Sequence, residues 1–319
     1  MSKELRVLFM GLSGQFSCVV LGRLLARDVE VAAVVLSGPK GGSLRSLALP
    51  GEGVGLLSED KLELPVLNSP GDYSRRGEAW PASLLGLASE EGIPVFECGD
   101  IGRPDVRDWL AAKSLDVVCV ACWNRLVPDS VLAIPRHGFL NVHPSLLPAY
   151  RGPFPLFWQY RAGETAMGVT VHWMDAGLDT GDIAGQRRIQ FEDGLRGPEA
   201  EALCALAGGD LLAEALEKTA RGGAVRRPQP KGGSYFPAPS RDDFALDPNW
   251  HPLRAFNFMR ASAEWGTPFR LASESSVLRL ADALAWREGA APEPPGEGRI
   301  WAAFRGGSVL AVEWPAAPI

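Results

Sequence analysis

The chain has 319 residues, 46% of them hydrophobic and 22% charged, with a formal net charge of −6. That is an ordinary globular composition at a length suited to two domains, so wholesale disorder is excluded. The acidic balance excludes a general electrostatic grip on nucleic acid, although it leaves room for a local basic patch. The opening "MSKELRVLFMGL" holds an apolar run too short for a signal-peptide core or a bilayer span, and the expectation is a soluble, cytoplasmic protein without membrane contact.

In chain order, "LRVLFMG" reads as a strand, "FSCVVLGRLLAR" as a helix and "VEVAAVVLS" as a second strand. From Ser37 to Asp72 the pattern lapses into Gly, Pro and Ser, which predicts a long loop on the active-site side. "SRRGEAWPASLLGLASEEG" should hold a helix leading into the short strand "PVFEC". "PDVRDWLAAK", "LDVVCVACW", "PDSVLAI" and "GFLNVHP" then alternate helix, strand, helix, strand. This rhythm predicts an α/β fold, a mostly parallel Rossmann-like sheet covered by helices, with functional groups at the carboxyl ends of its strands.

Two local motifs invite functional readings that the residues do not support. Gly11 and Gly14 lack the G-x-G-x-x-G spacing, and no acidic residue ends the second strand, so a nicotinamide cofactor is not expected. Cys119 and Cys122 form a C-x-x-C inside a continuous apolar run, with no second Cys pair or His cluster to complete a zinc set. They read as core thiols, with redox chemistry as the lesser alternative. Five cysteines at irregular spacing do not form a disulfide framework.

Beyond residue 150, "GPFPLFWQYRAGE" begins a helix with Pro153 near its first turn. "MGVTVHWM" and "DIAGQRRIQF" read as strands, and "GPEAEALCALAGGDLLAEALEKTARGG" as a long helix. The shift to Pro, Gly and basic residues in "AVRRPQPKGGSYFPAPS" marks a linker. The expected organisation is a catalytic domain over 1–222, a linker over 223–237, and a smaller β-rich, barrel-like domain over 238–319.

The stretch "FLNVHPSLLPAYRG" carries the chemistry. Asn141 and His143 are two apart in a predicted strand and so share a face at its carboxyl end. Pro144 and Pro148 restrict the backbone just after them, as pre-organised chemistry requires. An imidazole exchanges protons near neutral pH, and an amide donor meets a developing oxyanion without changing charge. A third group to orient the ring should come from the Asp residues of "MDAGLDTGD". Taken singly, such an Asn is more often a turn former and such a His a satisfied core residue.

The joint pattern of "NVHPSLLP" and a downstream "LDTG" resembles the folate-dependent formyltransferases over Phe139 to Gly185, and more weakly over most of the chain. That resemblance implies that Asn141, His143 and Asp179 are the catalytic set and that the donor is 10-formyltetrahydrofolate, with no metal. It further implies that the pterin ring is held by main-chain groups around Arg125, Leu126 and Val127 and by the loop Asp175, Ala176, Gly177 and Leu178. In the implied reaction an acceptor amine attacks the formyl carbon while Asn141 and a protonated His143 stabilise the oxyanion and Asp179 holds the imidazole.

From "SYFPAPSRDD" onward the chain is similar to the second domain of the members that act on initiator methionyl-tRNA, which is the first acceptor implied. The alternative is an amino sugar or another small or peptide amine; a hydrolase using water, or a non-catalytic binding module, ranks lower. After the Leu-Leu-Pro turn the family's small residues give way to Phe154, Phe157 and Trp158. These aromatics either fill a core along an amphipathic helix or reshape the acceptor mouth.

Overall fold

The computed structural model describes residues 5–48, 83–164, 166–272, 276–292 and 295–315. They fall into two compact units, Met1–Arg151 with Gly168–Arg188 and Ala202–Ser234, and Gly152–Met167 with Ile189–Glu201 and Tyr235–Ile319.

The first unit is built on the sequential elements β1 (Val7–Gly11), α1 (Gln15–Leu25), β2 (Val31–Ser37), β3 (Leu44–Ala48), α2 (Leu84–Glu90), β4 (Val95–Cys98), α3 (Pro104–Ala112), β5 (Val117–Ala121), α4 (Asp129–Leu132) and β6 (Phe139–His143). Further along come β7 (Ala166–Trp173), β8 (Ile183–Gln190) and the long helix α6 (Gly197–Ala220). The eight strands lie in the order β3-β4-β2-β1-β5-β6-β7-β8. The pairs β4 with β2, β2 with β1, β1 with β5, and β5 with β6 are parallel. β1 and β5 are buried at every residue, which is why both read as unbroken apolar runs.

The parallel set places the ends of β1, β2, β5 and β6 on one edge, and close strand approach there depends on Gly11. A methyl on Gly11 would sit 2.8 Å from the Ala121 carbonyl and 2.8 Å from Ser17 Oγ. Ser17 Oγ accepts from the Leu12 N–H and donates to that same carbonyl. This glycine therefore serves strand packing.

Two elements depart from the sequence expectation. Leu44–Ala48, expected as loop, is an antiparallel edge strand on β4, where Arg45 pairs with Glu97 at 2.8 Å. Its Gly- and Pro-rich flanks hid it, since a strand at a sheet edge needs little apolar patterning of its own. Residues 49–72 of that expected loop, and the start of the stretch after it, lie outside the described residues. The other departure is the helix after β6, α5 (Pro155–Ala162). It begins at Pro155 and not near Pro153, because Phe154 at its N-cap holds the left-handed conformation at φ 56°.

The second unit contains α5, α7 (Pro252–Ser262) and a five-stranded sheet in the order β12-β13-β11-β10-β9. These strands are β9 (Ala245–Leu246), β10 (Phe269–Ala272), β11 (Val277–Glu288), β12 (Arg299–Phe304) and β13 (Gly307–Glu313). The Phe157 ring lies 5.1–5.3 Å from those of Trp158, Phe244, Phe258 and Trp265. Trp158 stacks on Phe236 and donates its indole N–H to the Pro237 carbonyl. Phe157 thus fills the interior of this unit, while Trp158 is half-buried at its margin; Phe154 packs edge-on to Trp265 and stays partly exposed.

Helix α6 approaches the sheet of the first unit through Gly208. A methyl there would lie 2.4 Å from Val142 Cγ1 and 3.1 Å from Val169 Cγ2. Helix propensity favours Ala over Gly by about 1 kcal/mol, whereas overpacking a core costs about 1–3 kcal/mol. Gly208→Ala is expected to lower the unfolding free energy by about 1 kcal/mol in chemical denaturation; increased stability would contradict this packing.

Candidate active site

The last residues of β6 carry Asn141 and His143, with the side chain of His143 buried. The chain then turns back on itself. Ser145 donates its N–H to the His143 carbonyl at 2.8 Å, its hydroxyl donates to the Ala149 carbonyl at 2.7 Å, and Ala149 N–H donates to Leu146 O at 3.1 Å. Thr170, buried in β7, accepts from the Leu147 N–H and donates to the Ser145 carbonyl. The turn returns the carbonyl of Tyr150 to 2.8 Å from His143 Nε2. A carbonyl only accepts, so Nε2 carries the proton and Nδ1 is the basic nitrogen of the neutral ring.

Nδ1 of His143 faces Asp179 Oδ2 at 3.6 Å. The other oxygen of that carboxylate, Oδ1, lies 3.5 Å from Nε2 of His172. Both separations exceed hydrogen-bond range but keep the charge close to both rings. His172 sits opposite Asn141 in the antiparallel register of β6 and β7. Its Nδ1 lies 3.1 Å from the Trp173 carbonyl and so carries the proton, which leaves Nε2 to accept from Asn141 Nδ2 at 3.1 Å. That contact orients the amide and leaves its second N–H for another acceptor.

Burial pushes the His143 imidazole below its ordinary value, with the Asp179 charge and the Tyr150 hydrogen bond opposing this, and His172 adding to it. That direction favours the neutral ring near neutral pH. A neutral ring beside a carboxylate is arranged to take up a proton, the charge it acquires being stabilised by Asp179.

Asp179 stands on the loop after β7, in a left-handed backbone conformation at φ 53°. Asp175 shapes this loop: its Oδ1 accepts from the Gly177 N–H at 3.1 Å and the Thr180 hydroxyl at 2.7 Å. Gly181 is obligatory, since a methyl there would fall 1.8 Å from the Trp173 carbonyl. Ala176, Gly177 and Leu178 are exposed.

The loop after β5 occupies the same edge of the sheet. Arg125 donates to the Gly38 carbonyl at the end of β2, and Ser37 Oγ donates to Asn124 Oδ1 at 2.8 Å. Leu126 is 64% exposed, whereas Val127 is 6% exposed and packs in the core. Trp123 Nε1 and Arg125 Nη1 are buried without a hydrogen-bond partner among the described residues. Such orphan donors at the carboxyl edge are suited to a polar, ring-shaped ligand. The two cysteines part company: Cys119 is buried, with its thiol pushed up by burial, while Cys122 is exposed at φ 58°, and neither is in a disulfide. The expectation of two core thiols thus holds for Cys119 alone, because β5 ends at Ala121 and the turn carries Cys122 outward.

The structure thus gathers Asn141, His143 and Asp179 into one cluster and adds His172 and the Tyr150 carbonyl, neither of which the sequence reading picked out. His172 alternates with Thr170 along β7, but only the antiparallel pairing places it against Asn141. No group of three or more His, Cys, Asp or Glu among the described residues is arranged to hold a metal ion. Nor is any helix among them long and apolar enough to cross a membrane.

The family model described as formyl transferase matches residues 25–196. The chain belongs to the formyl transferase family and is an enzyme of one-carbon group transfer. It is 30% identical to a methionyl-tRNA formyltransferase of Geobacter metallireducens over 82% of this chain and 74% of the relative. It is 38% identical to that of Chromohalobacter salexigens over 66% of each. Among solved structures, WlaRD, a sugar 3N-formyl transferase, matches with a TM-score of 0.60 at 14% identity over 99% of this chain and 100% of that one. A variant of HypX from Aquifex aeolicus matches with a TM-score of 0.59 at 16% identity over 97% of this chain, which spans 45% of HypX. At these identities the two structures share the fold.

Holding His143 below its ordinary value near 6.5 ties stability to pH. The unfolded chain takes up a proton there that the folded chain resists, so the neutral ring's contribution is complete above that value and is lost as pH falls below it. In thermal unfolding, the acid-side slope of Tm against pH should be shallower in His143→Gln than in the parent. Equal slopes would contradict the assignment of a neutral, buried ring.

Proposed function

We propose that this enzyme transfers the formyl group of 10-formyltetrahydrofolate to the amino group of initiator methionyl-tRNA. The observation that carries this reading is the meeting of Asn141, His143 and Asp179 at the carboxyl edge of the sheet, in a chain whose relatives bear the corresponding name. The donor supplies an activated one-carbon acyl group. Asn141, oriented by His172, donates its remaining N–H to the oxygen that becomes negative as the amine adds to the formyl carbon. Neutral His143 accepts the proton released by the amine and returns it to the departing nitrogen, so that charge and atoms balance over the cycle. Asp179 favours the transient imidazolium.

The donor's pterin ring is assigned to the loop after β5 and the loop Asp175–Leu178. Trp123 Nε1 and Arg125 Nη1, buried without a hydrogen-bond partner among the described residues, support this. Main-chain groups of Arg125, Leu126 and Val127 then line the slot on one side, and those of Asp175, Ala176, Gly177 and Leu178 on the other.

The test is a kinetic comparison of parent, His143→Ala and Asp179→Asn with 10-formyltetrahydrofolate and charged initiator tRNA. Each variant should stay folded and lose turnover by roughly 10²- to 10⁴-fold. Near-parent turnover in either would remove the catalytic assignment. In the same assay, formylation of an amino sugar with no formylation of the tRNA would move the acceptor to that class and overturn the tRNA reading.

A further inference from the structure

The stretch between residues 223 and 237, expected as a linker, is laid along the site of the first unit. Trp173 Nε1 donates to the Val225 carbonyl at 2.8 Å, and the Arg226 guanidinium lies 3.9 Å over the Trp173 ring. Ile183 and Arg227 exchange two backbone hydrogen bonds, at 2.8 and 3.1 Å. At the far end Ser234 grips the turn after β6. Its hydroxyl accepts from the Tyr150 N–H at 2.8 Å, its N–H donates to Pro148 O at 3.1 Å, and its carbonyl accepts from the Arg151 N–H at 2.9 Å. Gly233 permits this approach, having φ +98° and only 2.3 Å between an added methyl and the Pro148 carbonyl.

Gln229 lies between these anchors and uses both ends of its amide. Nε2 donates to the carbonyls of Asp179 and Gly181, each at 2.8 Å. Oε1 accepts from Arg151 Nε at 3.2 Å and Nη2 at 2.7 Å. The chemistry leaves one orientation, because carbonyls only accept and a guanidinium only donates. This single side chain therefore joins the peptide of Asp179, held in its left-handed conformation, to the residue that follows Tyr150. Tyr150 in turn supplies the carbonyl that holds the His143 ring. At 3.6 Å the carboxylate and imidazole do not fix each other by a hydrogen bond, and the placement of the backbones that carry them contributes to their separation.

We propose that Gln229 is a positioning residue for formyl transfer, setting the Asp179 carboxylate against His143 by tying the loop that bears Asp179 to the turn whose Tyr150 carbonyl holds the His143 ring. This rests on the catalytic reading given above for Asn141, His143 and Asp179. Nothing in its sequence surroundings, "RRPQPKGG", distinguishes it from a polar linker residue.

The test uses the full-length chain with Gln229→Ala and Gln229→Glu, each alone and combined with Asp179→Asn, assayed with 10-formyltetrahydrofolate and initiator methionyl-tRNA. Glutamate keeps the length and the oxygen for Arg151 but has no N–H for the Asp179 and Gly181 carbonyls. Both single variants should lose kcat by about 10- to 100-fold with little change in either KM. In the Asp179→Asn background each should cost less than about 3-fold more, because a residue acting through Asp179 has nothing further to position.

Full, multiplicative losses in the double variants, or parent-like kcat in Gln229→Glu, would overturn the proposal. If Gln229→Ala fails to fold, the isosteric Gln229→Glu carries the same comparison. Parent-like activity of Asp179→Asn alone is a separate result: it removes the catalytic reading first, and the role of Gln229 with it.

Discussion

An imidazole buried at the end of a β-strand must have both ring nitrogens accounted for, and much of the first unit is organised around meeting that requirement at His143. One nitrogen is served by the Tyr150 carbonyl, which requires the chain to double back within seven residues. The other faces the charge of Asp179, which requires a glycine-bounded loop from a different part of the chain to reach the same place. Burial alone would leave a neutral, inert ring. Burial next to a carboxylate leaves a neutral ring whose protonated form is nonetheless tolerated, which is the condition for moving a proton and returning it.

The parallel strands set the stage for this without making the chemistry. They bring the ends of β1, β2, β5 and β6 to one edge, and the loop after β5 with its buried, unpaired donors lies on that edge. The decisive element is β7, because it runs antiparallel. Its register puts His172 against Asn141 and ends the strand beside Leu140, so the loop that follows must turn back to bring Asp179 to the two histidines.

The second unit shows the same economy in its aromatics. Phe157, Phe244, Phe258 and Trp265 form one aromatic cluster around α5 and α7, and Trp158 stacks on Phe236. Bulky residues after the Leu-Leu-Pro turn are accommodated because rings at offset and edge-on angles pack densely without polar atoms to satisfy. Trp158 is the exception with an N–H to place, and it finds the Pro237 carbonyl.

Strand and helix periodicity, the carboxyl-edge location of Asn141 and His143 and the Asp-rich loop after β7 were legible in the amino-acid order, because side-chain alternation and turn chemistry are local. So was the family, through "NVHPSLLP" and "LDTG". The edge strand Leu44–Ala48, the outward Cys122, the Tyr150 carbonyl, His172 and Gln229 were not. Each owes its place to a partner far along the chain or to a backbone angle at a single residue, and no periodicity records either. The protonation of His143 belongs with these. The residue type makes proton exchange available, but only burial and the distance to Asp179, both products of tertiary packing, decide which form rests in the folded enzyme.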